Sequence, residues 1–322
     1  MGKYDVVTLG ELLIDFTGSG SSNQGNPLFE ANPGGAPCNV LAMLNRMGVS
    51  TAFIGKVGDD MFGRQLAEAA ASVGISLEGL KFDPEIPTTL AFVHTLPGGD
   101  REFSFYRKPG ADVMIREDEL IPEMFEGAKI FHYGTLSMTQ EPARSASYKA
   151  IELAEKAGCI LSFDPNLRES LWSSLDEAKE QVLLGMSHCN ILKISDNEIV
   201  WLTGEEDYEA GVKWIRERYK IDLIMVSMGG DGSMAYSYRE DGSYVKVFAP
   251  ARRTPDTIET TGAGDTFCGS MLYHVLKFGW RPYTEEELKE ALTFANTAAS
   301  IVTTRKGALR VMPTEEEVRA LL

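Results

Sequence analysis

Lys129-Ile130-Phe131-His132-Tyr133 is a short run of apolar and aromatic residues that predicts a strand, and the chain beyond it repeats the pattern. Ala143–Ala157 has helical spacing and is closed by Gly158, and Cys159-Ile160-Leu161-Ser162-Phe163 is a second apolar run. Further on, Leu175–Gly185 reads as helix, Ile191–Ile194 as strand, Ala210–Tyr219 as helix and Leu223–Val226 as strand. Apolar strands separated by amphipathic helices imply parallel pairing with both faces of the sheet covered. Ligands of such sheets sit beyond the carboxyl ends of the strands. Asp164, Ser195 and Met228-Gly229-Gly230-Asp231-Gly232 fall at those ends.

With 322 residues the chain can bury a large α/β core, and 43% hydrophobic with 24% charged residues is an ordinary globular balance. The 31 basic residues stand against 47 acidic ones, a net charge of −16. That disfavours nucleic acid or an anionic membrane as a partner, since both require clustered Lys and Arg. It also means that an anionic substrate must be held by a local positive site. Cys38, Cys159, Cys189 and Cys268 form no CxxC pair and suggest neither zinc nor a disulfide framework. No apolar run reaches membrane-spanning length and the N-terminus shows no cleavage pattern, so the cytoplasm is the expected compartment.

Upstream of the alternation, Tyr4–Ile14 predicts the first strand, with Asp15 at its end. The two oxygens of that carboxylate match a pair of neighbouring sugar hydroxyls, although a strand-end Asp is also a common turn former. Leu90, Phe92, His94 and Leu96 alternate, Pro97-Gly98-Gly99-Asp100 turns, and Phe103 and Phe105 alternate back, which predicts a hairpin. Together with the polar, glycine-rich stretch Gly18–Asn32, it predicts a small β flap inserted into the α/β body. Pro33-Gly34-Gly35-Ala36-Pro37-Cys38-Asn39 opens a helix over Val40–Met47, which Gly48 closes. Its adjacent glycines permit close backbone approach and let Asn39 face a ligand. A second glycine-dense turn, Gly55–Gly63, reads as architectural.

Thr260-Thr261-Gly262-Ala263-Gly264-Asp265-Thr266-Phe267 precedes a helix whose apolar face runs from Phe267 through Met271, Leu272, Val275 and Leu276 to a stop at Gly279. Three small residues let backbone N–H groups turn outward, and with the helix dipole they form an anion site. Asp265 beside that site suits removal of a proton, so phosphoryl transfer to a hydroxyl is the chemistry that fits. The competing reading is an ordinary capping carboxylate. A helix N-terminus favours the charged form, so Asp265 is expected to be a weak base. Asp164-Pro165-Asn166-Leu167-Arg168 presents a turn and a cation, and Lys193 and Glu198 add a further cation and carboxylate, with surface ion pairing as the alternative. No GxxxxGK[ST] occurs, and Phe267 stands where a dinucleotide fingerprint has glycine, which removes P-loop kinases and weakens a dehydrogenase reading.

In this order the segments Gly10–Phe16, Pro33–Asn39, Phe53–Asp60, Arg101–Phe103, Phe131–Gly134, Asp164–Arg168 and Thr260–Phe267 resemble the ribokinase-like (PfkB) sugar kinases, most nearly the fructokinases, over almost the whole chain. The resemblance implies one three-layer α/β/α domain over residues 1–322, with a central, mostly parallel sheet and a β lid from about 16–33 and 88–110. It implies an ATP-dependent transfer to fructose, giving fructose 6-phosphate, with Asp265 as base and the amides of Gly262, Ala263 and Gly264 as anion hole. Asp15, Gly34, Gly35 and Asn39 would hold sugar hydroxyls, with Arg107 and Arg168 nearby. Lys193, Gly229, Gly232 and Asn296 would line the ATP site, and Glu198 would meet Mg²⁺ through water. Ser195 stands where many relatives have Asn. Glu259 replaces the family's usual Asp at an activating-cation position, which leaves K⁺ dependence open. Kinases of 2-keto-3-deoxygluconate, ribose or adenosine are the related alternatives, and an inactive sugar-binding regulator is the alternative of another class. Alternation in the hairpin hints at a homodimer through the lid.

Overall fold

The computed structural model describes residues 2–95 and 101–322. Its strands are β1 (Val6–Leu9), β2 (Leu13–Ser21), β3 (Pro27–Gly34), β4 (Thr51–Gly58), β5 (Ser76–Asp83), β6 (Leu90–Thr95), β7 (Arg101–Tyr106), β8 (Ile130–Gly134), β9 (Ile160–Asp164), β10 (Ile191–Ser195), β11 (Leu223–Ser227), β12 (Gly232–Tyr238) and β13 (Tyr244–Pro250). The helices are α1 (Ala36–Arg46), α2 (Met61–Ser72), α3 (Ala143–Ala157), α4 (Leu175–His188), α5 (Asp196–Thr203), α6 (Tyr208–Arg218), α7 (Ala263–Phe278), α8 (Glu285–Val302) and α9 (Glu315–Arg319).

A nine-stranded sheet runs β13-β12-β11-β10-β9-β8-β1-β4-β5. Its strands pair in parallel except at the β11–β12 and β12–β13 edge, where a tight return makes the pairing antiparallel. Successive side chains of a strand point to opposite faces, and the two cores follow that rule. Val6, Ile191, Leu223 and Met225 pack with α1, α7 and α8, whereas Val7, Leu192, Ile224 and Val226 pack with α3, α4, α5 and α6. Helix ends carry the expected chemistry. Ser174, Asp207 and Thr284 accept N–H bonds as N-caps, and Gly158 and Gly204 close α3 and α5 in left-handed conformations.

The second sheet has four strands in the order β3-β2-β6-β7. Here the first predicted strand is corrected. The apolar stretch from Tyr4 is broken at Gly10–Leu12, so β1 belongs to the large sheet and β2 opens the small one. Asp15 therefore lies within β2 and does not end a core strand. The predicted hairpin pairs Leu90 with Tyr106 and Phe92 with Ser104, while its turn at Pro97–Asp100 lies outside the described residues. Stacking of Phe16 on Phe92, with Phe29 and Tyr106 edge-on to the same ring, holds the small sheet together. The Gly58–Gly63 turn is architectural. Asp60 caps α2 by accepting from Gly63 N–H at 2.8 Å and also holds Thr88 N–H at 2.8 Å. Among the described residues, no helix is long and apolar enough to cross a membrane.

Candidate active site

Where the small sheet overhangs the carboxyl ends of the central strands, a cleft of ≈ 380 Å³ is lined by Asp15, Gly35, Asn39, Arg168, Lys193, Gly262, Gly264 and Asp265, together with Glu11, Phe105, Leu136, Asn166, Thr260 and Thr261. A second cavity of ≈ 290 Å³ adjoins it and shares Asn166, Arg168 and Lys193, adding Ser195, Asn197 and Glu198. Parts of the chain far apart in sequence thus converge because β1, β9 and β10 all end at this edge.

Helix α7 begins earlier than its apolar face suggested. Gly262 is the N-cap at φ 75°, and Ala263, Gly264 and Asp265 form the first turn. A side chain at Gly262 would be strained, and its Cβ would stand 2.6 Å from Cβ of Ala308. First-turn amides of a helix lack intrahelical acceptors. One of the expected anion-hole donors is nonetheless engaged, since Ala263 N–H donates to the Thr260 carbonyl at 3.2 Å. Gly264 and Lys193 both line the cleft, and an added Cβ at Gly264 would lie 3.5 Å from Lys193 Nζ.

Asp265 accepts a hydrogen bond from Asn39 Nδ2 at 2.8 Å, so the two glycine-rich turns meet directly. The surroundings of its carboxylate exclude enough water to raise its pKa, although the Asn39 bond and the charges of Lys193 and Arg168 pull it down. This reverses the expectation drawn from the helix N-terminus. Desolvation wins, and Asp265 is a stronger base than a solvated aspartate.

Beneath Gly264 lies a buried ion pair. Lys193 Nζ is 3.0 Å from Asp164 Oδ2, with both side chains almost fully enclosed. Burial alone would lower the Lys193 pKa, but the charges of Asp164 and Glu198 more than reverse that and raise it. Burial pushes Asp164 up to about 6, while the Lys193 charge restrains it. Lys193 therefore keeps its charge at the wall that the two cavities share, balanced by Asp164 beside it. His132, below the same site, is held neutral, its pKa brought down to about 3 by burial and by the Lys193 charge.

Glu198 closes a capping box on α5. Its Oε2 accepts from Ser195 N–H at 2.8 Å and its Oε1 from Leu167 N–H at 2.7 Å. Despite burial, Lys193 and these amides keep its pKa low. The carboxylate has lone pairs to spare and faces the second cavity beside Asn197. Oxygen donors of this kind suit a hydrated Mg²⁺. Glu259 Oε1 accepts from Gly307 N–H at 2.7 Å, and Thr303 O receives the Ile258 and Glu259 amides, which ties this segment to the end of α8. Among the described residues, no cluster of three or more His, Cys, Asp or Glu is arranged to hold a metal ion.

Several expected residues stand elsewhere. Gly34 does not line the cleft, and an added Cβ there would come 2.5 Å from Asp15 Oδ2. Asn296 does not line either cavity. Its Oδ1 accepts from Ser233 Oγ at 2.9 Å and its Nδ2 donates to Ala249 O at 3.0 Å, tying α8 to β12 and β13. Gly229 (φ 48°) and Gly232 (φ 122°) shape the tight return between β11 and β12, at the cleft end of the sheet. Arg107 is also absent from the cleft wall. Its guanidinium is buried against Asp112, Thr139 Oγ1 and the Leu136 carbonyl. Glu11, which lines the cleft, was not singled out from sequence. A lone carboxylate inside the apolar run Val6–Ile14 was the available signal.

Residues 3–315 match the pfkB family carbohydrate kinase model, and the chain belongs to that family. It is 42% identical over 322 residues to probable fructokinase-4 of Arabidopsis thaliana, covering 99% of this chain and 97% of that one. Fructokinase with bound ATP from Xylella fastidiosa superposes with a TM-score of 0.87 at 29% identity, covering 99% of this chain and 98% of that chain. A double mutant of fructokinase from Vibrio cholerae O395, in fructose-, ADP- and potassium-bound form, gives 0.87 at 28% identity over 100% of this chain and 99% of the other. The large parallel sheet with its smaller companion is therefore the ribokinase-like fold.

Proposed function

We infer that this chain is an ATP-dependent fructokinase, transferring the γ-phosphoryl group of ATP to the 6-hydroxyl of D-fructose. The observation that carries this reading is the corner where Asp265, held by Asn39, stands in the first turn of α7 beside Gly264 and above Lys193. Full-length likeness to fructokinases supports the choice of sugar.

In this reading Asp15, Gly35, Asn39 and Arg168 hold fructose hydroxyls, and Asp265 accepts the proton of the attacking hydroxyl. The amides of Gly262 and Gly264, with the α7 dipole, bind the oxygens of the moving phosphoryl group, and that of Ala263 joins them once it leaves Thr260. Phosphoryl transfer passes through a loose transition state, so charge stabilisation matters more than nucleophile strength. Lys193, whose charge is fixed by Asp164, supports that charge from below. The turn bearing Gly229 and Gly232, with the stretch of α8 that Asn296 ties to β12 and β13, supplies the adenosine side of the nucleotide site. Glu198 would hold a hydrated Mg²⁺, which would supply neutralisation of phosphate charge. Glu259 is the carboxylate we assign to a monovalent cation. Phe105 and the rest of the small sheet close over the sugar and exclude water.

The test is a coupled ADP-release assay with fructose, ribose, 2-keto-3-deoxygluconate and adenosine. Fructose is expected to give the highest kcat/KM, and a higher value for any other acceptor would overturn the assignment. We also propose that the chain works in the cytoplasm, checked by fractionation, and as a homodimer through the lid. The half-exposed Leu28 and Phe29, with Tyr106 at 67% exposure, offer the apolar surface for a second copy. Light scattering showing only monomer at micromolar concentration would remove the dimer.

A further inference from the structure

The chain passes between the large sheet and the lid four times, at Gly10–Leu12, at Gly35, at Pro87–Thr89 and at Arg107–Gly110. Buried polar bonds join these crossings to one another. Glu11 Oε1 accepts from Ala36 N–H at 2.7 Å, linking the first crossing to the second. Ile14 N–H, in β2 just past the first crossing, donates to Thr89 O in the third at 3.2 Å. Thr89 Oγ1 donates to Asp112 Oδ1, and Ala111 N–H to Pro87 O at 2.9 Å, linking the third to the fourth. Arg107 Nε donates to Asp112 Oδ2 at 2.8 Å, and its Nη2 donates to the body at Leu136 O, also at 2.8 Å. The packing admits no slack. A Cβ on Gly35 would meet Glu11 O at 2.4 Å, and one on Gly110 would meet Thr89 Oγ1 at 1.7 Å.

We propose that Glu11, Thr89, Arg107 and Asp112 form a buried root for the lid, with Glu11 the positioning residue that sets the sugar side of the cleft. Glu11 is 5% exposed, yet it reaches the cleft wall and grips the first amide of α1. That helix carries Asn39, which in turn holds Asp265. Gly35 and Ala36 also line the cleft, so a shift of this turn moves the sugar-facing backbone and leaves the second cavity alone. Arg107 acts here through the scaffold and does not touch sugar. The inference rests on the fructokinase reading of the cleft.

The experiment compares steady-state kinetics of the wild type, Glu11→Gln, Glu11→Met and Glu11→Ala, with melting curves for each. Glu11→Gln keeps an acceptor for Ala36 N–H and is expected to stay within about twofold of wild type. Glu11→Met removes the acceptor and is expected to raise KM for fructose about tenfold, the ratio that one hydrogen bond supports. KM for ATP should change less than twofold. Glu11→Ala, the second single variant without the acceptor, should reproduce the same split if Glu11→Met does not fold. Unaltered fructose KM in both single variants, or equal rises in both KM values, overturns the proposal. Failure of the wild type itself to turn over fructose would instead overturn the functional reading.

Discussion

Asp265→Asn is the substitution that separates catalysis from architecture most cleanly. Asparagine is isosteric and its amide oxygen can still accept the 2.8 Å bond from Asn39, so the corner keeps its shape. What disappears is the proton acceptor. Loss of a positioned general base typically lowers turnover by about 10²–10⁴, or roughly 2.7–5.5 kcal/mol in the barrier. Stability should move the other way. The Asp265 pKa is raised in the fold, so the ionised carboxylate is disfavoured there relative to the unfolded chain. For an acid this penalty is present above the folded pKa and vanishes below the unfolded one. At neutral pH the neutral variant should therefore melt at or above the wild-type temperature. A coupled ADP-release assay gives kcat and both KM values, and differential scanning calorimetry gives the melting temperature. Near-normal kcat would remove Asp265 as base. A lower melting temperature together with weakened ATP binding would show that the residue acts by holding the fold.

Gly264→Ala places a methyl 3.5 Å from Lys193 Nζ, an ordinary contact, so urea denaturation should show unchanged or slightly higher stability, by up to about 1 kcal/mol, while kcat falls at least tenfold. Lys193→Met leaves Asp164 without its partner at 3% exposure and should destabilise the fold by about 3–5 kcal/mol at pH 7.5, and by less at pH 5, where Asp164 takes up a proton. Burial raises the Glu11 pKa from 4.5 to about 7, so its share of stability is lowest above pH 7 and grows as pH falls toward 4.5; subtracting the Glu11→Gln unfolding profile from that of the wild type should expose this slope. Replacing Na⁺ by K⁺ should raise wild-type kcat, and Glu259→Leu should level the two salts in the same assay.

The parallel strands were readable because each apolar run is short and a capped helix separates it from the next. Their ends were read one residue early at Gly134, Asp164, Ser195 and Ser227, where polar or small residues finish the strand at the cleft edge. Tyr4–Ile14 was misread as one strand because Leu12, Leu13 and Ile14 are as buried as Val6 and Val7, so hydropathy carries no trace of the crossing between sheets. Gly10 and Glu11 were the only interruption. Asp265 and Asn39 were legible as separate helix starts, but their hydrogen bond spans 226 residues and no local pattern encodes it. Arg107 shows the converse problem. An arginine near a proposed sugar site suggests a ligand contact, and only the packing of Asp112, Leu136 and Thr139 around it reveals a scaffold role.

A crystal structure with fructose and a non-hydrolysable ATP analogue tests the catalytic corner most directly. The terminal phosphorus should lie at the N-terminus of α7, in line with the fructose 6-oxygen, and that oxygen should be within hydrogen-bond distance of Asp265. A seated sugar whose 6-oxygen faces away from Asp265, or a terminal phosphate bound away from Gly262 and Gly264, would contradict the account.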